Sequence, residues 1–251
     1  VLIILGEPNS VFIEILAKTL NKNSIKKKIN YPIIIIGSKN LLISQLKRLK
    51  KKISFKLFED KKFENKKLLN KIYLIDINYK FKKPFESISK KSKKYISKCF
   101  EKGLNFLNSG ISDIIVNGPV SKAHFLQNKY PGVTEYIFNK SKNKLIKNPV
   151  MLIFNKKLSV SPITTHVPLK NVNKKINEKI IINNTLTVHN FYKKKIKIKP
   201  KIAVLGLNPH CESIYRYNED PKIIKPAINY LKKQKYNVAG PFPADTFFLS
   251  Q

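Results

Sequence analysis

Short apolar runs alternate with longer amphipathic segments along the chain. Six of these runs have the length and β-branched content of strands buried on both faces of a sheet. They are VLIIL (1–5), YPIIII (31–36), IYLIDI (72–77), DIIVNG (113–118), VMLIF (150–154) and KIAVLGL (201–207). The alternation predicts an α/β protein with a largely parallel sheet.

Two of the intervening segments place apolar residues at helical spacing. Residues 87–110 form one such segment, with Gly110 in the position of a C-terminal cap, and residues 172–191 form the other. In an open parallel sheet, functional residues gather where strands end and helices begin. We therefore expect the chemistry to lie in the loops that follow predicted strands.

The basic charge of the chain raises the question of a polyanion partner. The formal net charge is +35, but only Arg48 and Arg216 among the 50 basic residues are arginines, and the lysines are spread over the whole sequence. Nucleic-acid surfaces rely on the planar fork of arginine. The distribution of lysines therefore favours a solvated surface and no nucleic-acid partner. The alternative is that the protein is not an enzyme but a basic protein that binds a polyanion.

Cysteine usage and hydropathy indicate the compartment. Cys99 and Cys211 are far apart, without metal-type spacing, and no apolar run is long enough for a membrane span. We expect a cytoplasmic protein without a disulfide and without a membrane partner. The sequence begins without Met and ends at DTFFLSQ, so we also expect it to be part of a longer chain.

Two histidines stand in loops after predicted strands. The four such loops are GEPNS (6–10), NGPVSK (117–122), TTHVPL (164–169) and LNPHCE (207–212), and none has the glycine pattern of a phosphate loop or a Rossmann site. His166 and His210 would share one rim of the sheet and are candidate metal ligands, although each is equally compatible with a loop histidine bonded to backbone. His124 and His189 fall in helical segments and are interpreted as structural.

Two further loops carry candidate polar residues. Ser121 is placed to cap a helix whose first turn carries Lys122, which suits an anion, although capping alone explains Ser121 equally well. In AGPFPADTFF (239–248), two prolines stiffen the loop before Asp245, a feature that suits a fixed functional residue or simply the end of a helix.

Taken together, these motifs resemble the 4-hydroxythreonine-4-phosphate dehydrogenase family. GEPNS, NGPVSK, PGVTEYI (131–137), TTHVPL, GLNPHCE and GPFPADTFF occur in the family's order and approximate spacing, from residue 1 to residue 251. The resemblance implies an isocitrate/isopropylmalate dehydrogenase-like fold with two α/β/α lobes and a cleft, which we divide into residues 1–125 and 126–251. It also implies a homodimer.

The activity that the resemblance implies is an NAD-dependent, divalent-metal-dependent oxidation and decarboxylation of 4-phosphohydroxy-L-threonine to 3-amino-2-oxopropyl phosphate, a step of pyridoxine phosphate biosynthesis. His166 and His210 match two of the family's three metal-binding histidines; the metal is Zn, Mg, Mn or Co. Lys122 and Thr134 are implied to bind the phosphorylated substrate, and Asp245 is the candidate catalytic residue, orienting groups near the metal. The residues that bind NAD are unassigned.

The sequence departs from the family at several positions. Val133 stands where the family has a substrate-binding histidine, and the family's glycine-rich stretches are replaced at residues 10–13 and 212–217. These changes leave open a paralogue that acts on a related phosphorylated hydroxy acid such as threonate phosphate. Because the third histidine and other substrate residues of the family have no counterpart in these 251 residues, we expect this stretch alone to be inactive.

Overall fold

The computed structural model describes residues 1–23, 29–58, 71–127, 129–141, 149–211 and 218–249. The chain divides into two compact units, Val1–Lys147 and Asn148–Gln251. This division differs from the predicted boundary after residue 125, because Tyr130, Val133 and Tyr136 pack against the core of the first unit. The sequence also makes the lysine-rich stretch 139–147 a candidate junction between two lobes, and most of this stretch lies outside the described residues.

A parallel sheet organises the first unit. Its strands, in the order β3-β4-β2-β1-β5, are β1 (Leu2–Ile4), β2 (Ile33–Gly37), β3 (Lys56–Leu57), β4 (Ile72–Asp76) and β5 (Ile115–Asn117). Every pairing between them is parallel. Four strands coincide with predicted apolar runs, which confirms the α/β prediction; the two-residue β3 is too short to give a pattern.

Helices cover both faces of this sheet. They are α1 (Phe12–Asn21), α2 (Lys39–Arg48), α3 (Lys90–Asn108) and α4 (Val133–Lys140). Ile4 and Ile36 pack on the side of Phe100 from α3, whereas Ile3 and Ile35 pack on the side of the α1 and α2 residues. Alternate strand residues are therefore apolar on both faces, as expected of a parallel sheet between helical layers.

The predicted helix over 87–110 is confirmed as α3. Ser89 begins it through a reciprocal capping box with Ser92. Gly110, with φ +75°, follows its last turn in the left-handed conformation that glycine adopts most readily.

A smaller α/β arrangement forms the second unit. Its elements are α5 (Val172–Lys175), α6 (Glu178–Phe191), β6 (Ile202–Leu205), α7 (Lys225–Lys233) and β7 (Val238–Phe242). The two strands are parallel, and Ile181 of α6 and Leu231 of α7 are buried in the core that the helices share with Val238. The predicted helix 172–191 is divided because Asn177 adopts extended backbone and caps α6 through the N–H of Ile180.

One predicted strand is wrong. Residues 150–154 form only an isolated antiparallel bridge between Ile153 and Val160. Ile153 and Phe154 are 57% and 49% exposed, so this apolar run does not have the two-sided burial that a central parallel strand requires. As a result, the loop 164–169 does not follow a strand in the described structure.

Cys99 is buried and Cys211 is half-buried, and no disulfide joins them. Among the helices that the structure describes, none combines the length and the apolarity needed to cross a membrane.

Candidate functional site

His210 and Asp245 meet in the second unit, where two loops follow the paired strands β6 and β7. The loop after β6 is joined to the β7 loop by the N–H of Ala244, which donates to the carbonyl of Pro209 at 2.9 Å. The next residue in each loop is His210 or Asp245, and their side chains lie 3.0 Å apart, Nδ1 to Oδ2. Strand pairing thus brings together two residues that are 35 positions apart in the sequence.

This contact determines how the imidazole of His210 can act. A carboxylate only accepts hydrogen bonds, so Nδ1 of His210 carries the proton, and in the neutral ring the lone pair is on Nε2. A carboxylate that fixes the tautomer in this way is the usual partner of a metal-binding histidine. The His210 side chain is 74% exposed, which leaves it open to an ion or substrate.

His166 lies in the same unit with an unusual backbone. Its φ is +56°, and Cys211, directly after His210, has φ +59°. Residues other than glycine rarely adopt this left-handed conformation, although histidine is among the more tolerant residues. Lys50, Gln127, Lys197 and Lys235 have the same conformation, so a positive φ does not by itself mark a functional site.

The donors of the second unit fit a divalent ion in part. No group of three or more His, Cys, Asp or Glu side chains that would hold a metal occurs within the described ranges. A catalytic metal normally takes three protein ligands. The contact of His210 with Asp245 fits the chemistry of an imidazole ligand.

The remaining predicted site residues belong to the first unit. Ser121 caps the short helix Lys122–Leu126 and accepts from the N–H of His124, as predicted; its Oγ also lies 3.1 Å from Nδ1 of His124. Lys122 is exposed at the first position of this helix, and Thr134 is exposed in the first turn of α4. Val133 is half-buried against the core.

Glu7 is a buried carboxyl that joins two loops of the first unit, and sequence reasoning did not single it out. The loop after β1 is fastened to the loop after β5: the Glu7 N–H donates to the Pro119 carbonyl at 2.9 Å, and Oε1 of Glu7 accepts from the N–H of Ser121 at 3.5 Å. Glu7 is 5% exposed, and its Oε2 has no hydrogen-bond partner in the described structure. Its sequence signals were its place directly after a strand and in the GEPNS motif.

Gly6 shows why these two loops approach so closely. A Cβ on Gly6, whose φ is +73°, would lie 2.6 Å from the Pro119 carbonyl oxygen. Only glycine permits this backbone contact. The arrangement fixes the start of the helix that carries Lys122.

The buried carboxyl of Glu7 is expected to make stability depend on pH. Burial raises the pKa of Glu7 above its ordinary value of 4.5, and the Ser121 N–H opposes this only in part. Since the folded state holds the proton more tightly, the contribution of Glu7 to stability is complete below its unfolded pKa and is lost as pH rises through the raised folded value. Glu7→Gln should therefore lose less stability than the wild type between about pH 4 and about pH 7, measured by urea unfolding.

Glu14 provides a control of opposite sign for this prediction. It is paired with Lys18 at 2.6 Å, and this hydrogen bond and charge lower its pKa. As pH rises from about 3 to about 5, through the lowered folded pKa toward the unfolded one, the wild type should gain stability relative to Glu14→Gln, by the small amount typical of an exposed pair. Parallel pH curves for the wild type and Glu7→Gln would contradict the assignment.

Comparison of the sequence with known proteins identifies a family. The family model described as pyridoxal phosphate biosynthetic protein PdxA matches residues 28–251. A 4-hydroxythreonine-4-phosphate dehydrogenase of Sulfurihydrogenibium sp. (strain YO3AOP1) is 34% identical over 250 residues, covering 98% of this chain and 74% of the relative. The protein of the same name from Aquifex aeolicus (strain VF5) is 29% identical, covering 99% and 75%. The chain thus spans about three quarters of the length of both relatives.

Solved structures agree with these relatives at the level of the fold. A 4-hydroxythreonine-4-phosphate dehydrogenase from Klebsiella pneumoniae superimposes with a TM-score of 0.78 at 22% identity, covering 100% of this chain and 75% of the other. One from Burkholderia phymatum gives 0.77 at 25% identity, covering 99% and 75%. With the family model matched over most of its residues and a relative aligned along nearly all of its length, the chain belongs to the pyridoxal phosphate biosynthetic protein PdxA family, whose named members are dehydrogenases.

Proposed function

We propose that the protein is an NAD-dependent, divalent-metal-dependent dehydrogenase that converts 4-phosphohydroxy-L-threonine to 3-amino-2-oxopropyl phosphate. Family membership supports the oxidoreductase class and the place in pyridoxal phosphate biosynthesis. The contact between His210 and Asp245 is the main support for the proposed site. The Asp245 carboxylate holds the proton on Nδ1 of His210, so that Nε2 can bind an ion.

The proposed reaction has two steps. First, the carbon bearing the secondary hydroxyl transfers a hydride to NAD⁺ while the hydroxyl loses its proton, so that a ketone and NADH form. The bond to the carboxylate then breaks, carbon dioxide leaves, and a proton is taken up at the carbon left behind. The products are 3-amino-2-oxopropyl phosphate, carbon dioxide and NADH.

Residues of the second unit are proposed to serve the reacting end of the substrate. His166 and His210 would hold a divalent ion (Zn, Mg, Mn or Co), which when bound polarises the substrate's alcohol oxygen. Asp245 keeps the proton on Nδ1 of His210, so that Nε2 remains available as a ligand. His210 is therefore proposed as a ligand and Asp245 as the group that orients it.

Residues of the first unit are proposed to bind the phosphate end. Lys122 offers an exposed ammonium group at the start of its helix, and Thr134 offers an exposed hydroxyl in the first turn of α4. Both side chains are suited to phosphate oxygens. Val133, which donates no hydrogen bond, supports the alternative of a different phosphorylated hydroxy acid, such as threonate phosphate.

The proposal extends to the architecture of the whole protein. We propose two lobes of the isocitrate/isopropylmalate dehydrogenase type, a cytoplasmic location and a homodimer. An exposed apolar patch on the segment 151–160 supports self-association, since contiguous exposed apolar surface commonly marks an interface. Its members are Met151, Ile153, Phe154, Leu158 and Val160.

The activity is tested by following NADH formation in the full-length protein. We expect NADH to form with 4-phosphohydroxy-L-threonine, to stop after treatment with a chelator and to resume when a divalent ion is added back. A higher kcat/KM for threonate 4-phosphate would assign the paralogue function instead. Absence of NADH with either substrate, together with tight polyanion binding that weakens steeply with salt, would replace the enzyme with the polyanion-binding alternative.

A further inference from the structure

We infer that Asp220 is a positioning residue: it holds the loop after β6 in the conformation that presents His210 to Asp245. This inference rests on the function proposed above and adds a residue to its site. The side chain of Asp220 does not reach the imidazole through any hydrogen bond in the described structure, so its effect is transmitted by the loop backbone.

Within the described residues, the side-chain hydrogen bonds of Asp220 go to the start of that loop. Its Oδ1 accepts from the N–H of Leu207 at 2.7 Å, and its Oδ2 accepts from Nδ2 of Asn208 at 2.8 Å and from the N–H of Asn208 at 3.3 Å. Asp220 itself is 1% exposed. A buried carboxylate is costly unless it accepts several hydrogen bonds, and the buried N–H groups of the loop are costly without an acceptor. The Asp220 carboxylate therefore stabilises this loop conformation.

Asn218 completes the network around Asp220. Its Oδ1 accepts from the N–H of Asp220 at 3.0 Å and from Nδ2 of Asn208 at 3.1 Å. The amide of Asn208 is therefore held by two side chains, and the carbonyl of Asn208 accepts from the N–H of Cys211 at 3.0 Å. These bonds fix the turn on both sides of His210.

Gly206 leaves room for this carboxylate. A Cβ at residue 206 would lie 2.9 Å from Oδ1 of Asp220 and 2.5 Å from Sγ of Cys211. The loop therefore packs directly on Asp220 at the point where it leaves β6. From there, Pro209 receives the N–H of Ala244, and the two following residues make the 3.0 Å contact between His210 and Asp245.

The role of Asp220 is not predictable from the sequence. Asp220 precedes Pro221 at the start of a helical segment, where an acidic residue is ordinarily explained by the helix dipole. Its partners in the loop are 12 and 13 positions away in the sequence.

The test uses the tautomer of His210, which NMR reads from the shifts of the ring nitrogens. His124 and His189, which lie outside the proposed metal site, serve as internal references. Asp220→Asn keeps the shape but turns an NH₂ group toward N–H donors. We expect the wild type to show the Nδ1–H form at His210, and Asp220→Asn to lose this preference while the two references stay unchanged.

Divalent-ion affinity provides the second measurement. Calorimetric titration of the metal-free protein with Co²⁺ should show a 10- to 100-fold loss in Asp220→Asn, roughly the effect of removing an outer partner of a metal-binding histidine. Glu219→Gln is the matched control, because it also removes one negative charge at the neighbouring position. The Glu219 side chain makes no hydrogen bond to the described loop 206–211. This control should keep wild-type shifts and affinity.

The outcomes separate this inference from the proposed function. Unchanged His210 shifts in a folded Asp220→Asn protein overturn the positioning role, whatever the titration gives. Altered shifts with wild-type Co²⁺ affinity support the positioning role and count against the metal function of His210. If Asp220→Asn does not fold, Asn208→Ala removes two side-chain hydrogen bonds of the network but keeps both backbone N–H bonds to the carboxylate. It should shift His210 in the same direction by a smaller amount, and no shift in that variant overturns the inference.

Discussion

His210→Ala should lower kcat/KM for NADH formation by about a thousandfold, since an ion that polarises the reacting oxygen contributes several kcal/mol to the transition state. The substitution removes the imidazole that Asp245 orients and, with it, one of the proposed ligands. The rate is measured in the full-length protein with 4-phosphohydroxy-L-threonine and added divalent ion.

Loss of folding would not explain such a result. The His210 side chain is 74% exposed, so its removal leaves no cavity in the core, and the melting temperature should stay close to that of the wild type. His189→Gln, on α6 and outside the proposed site, is the control for loss of a histidine and should keep the wild-type rate. Wild-type kcat/KM in His210→Ala would contradict the proposed role.

Gly240→Ala should destabilise the second unit severely, with a loss of about 3 kcal/mol or more in the free energy of unfolding. Gly240 lies in β7 with φ +127°, a conformation that is essentially restricted to glycine. A Cβ there would lie 2.2 Å from the carbonyl oxygen of Val204 in the paired strand β6. Backbone cannot move away from this contact without disrupting the pairing.

Gly110→Ala is a control with a positive φ but without a close contact. Gly110 also has a positive φ, +75°, but a Cβ on it would meet nothing within 4 Å. We expect this control to lose only about 1–2 kcal/mol, the cost of the left-handed backbone alone. Equal losses in the two variants, measured by urea unfolding, would show that contact with Val204 is unimportant.

Periodicity predicted the first unit well and the second unit poorly. The runs that became β1 and β2 are rich in isoleucine and buried on both faces, so composition and burial agree, whereas β4 and β5 at the sides of the sheet are only partly buried. β7 contains Gly240 and Pro241, which are uncommon in strands, so the sequence does not predict a strand there. The structure nevertheless pairs this segment with β6. The run 150–154 shows the reverse case, in which apolar composition reflects an exposed patch.

The sequence predicted which loops carry candidate site residues, but not which of these residues are in contact. The position of His210 after a strand and the rigidity of the loop before Asp245 were both visible in the sequence, but their contact depends on the register of β6 with β7. Glu7 and Asp220 were missed for the same reason, because the hydrogen bonds that define them join distant segments. His166 was expected at a strand end, whereas the structure places it in an irregular loop with φ +56°.

Whether His166 and His210 bind the same ion is decided by a Co²⁺ titration of four metal-free proteins: the wild type, His166→Ala, His210→Ala and the double variant. Two ligands of one ion predict one ion per chain in the wild type, a large loss of affinity in each single variant, and little further loss in the double variant. Wild-type affinity in either single variant, or losses that simply add in the double variant, would contradict a shared ion and with it the proposed chemistry.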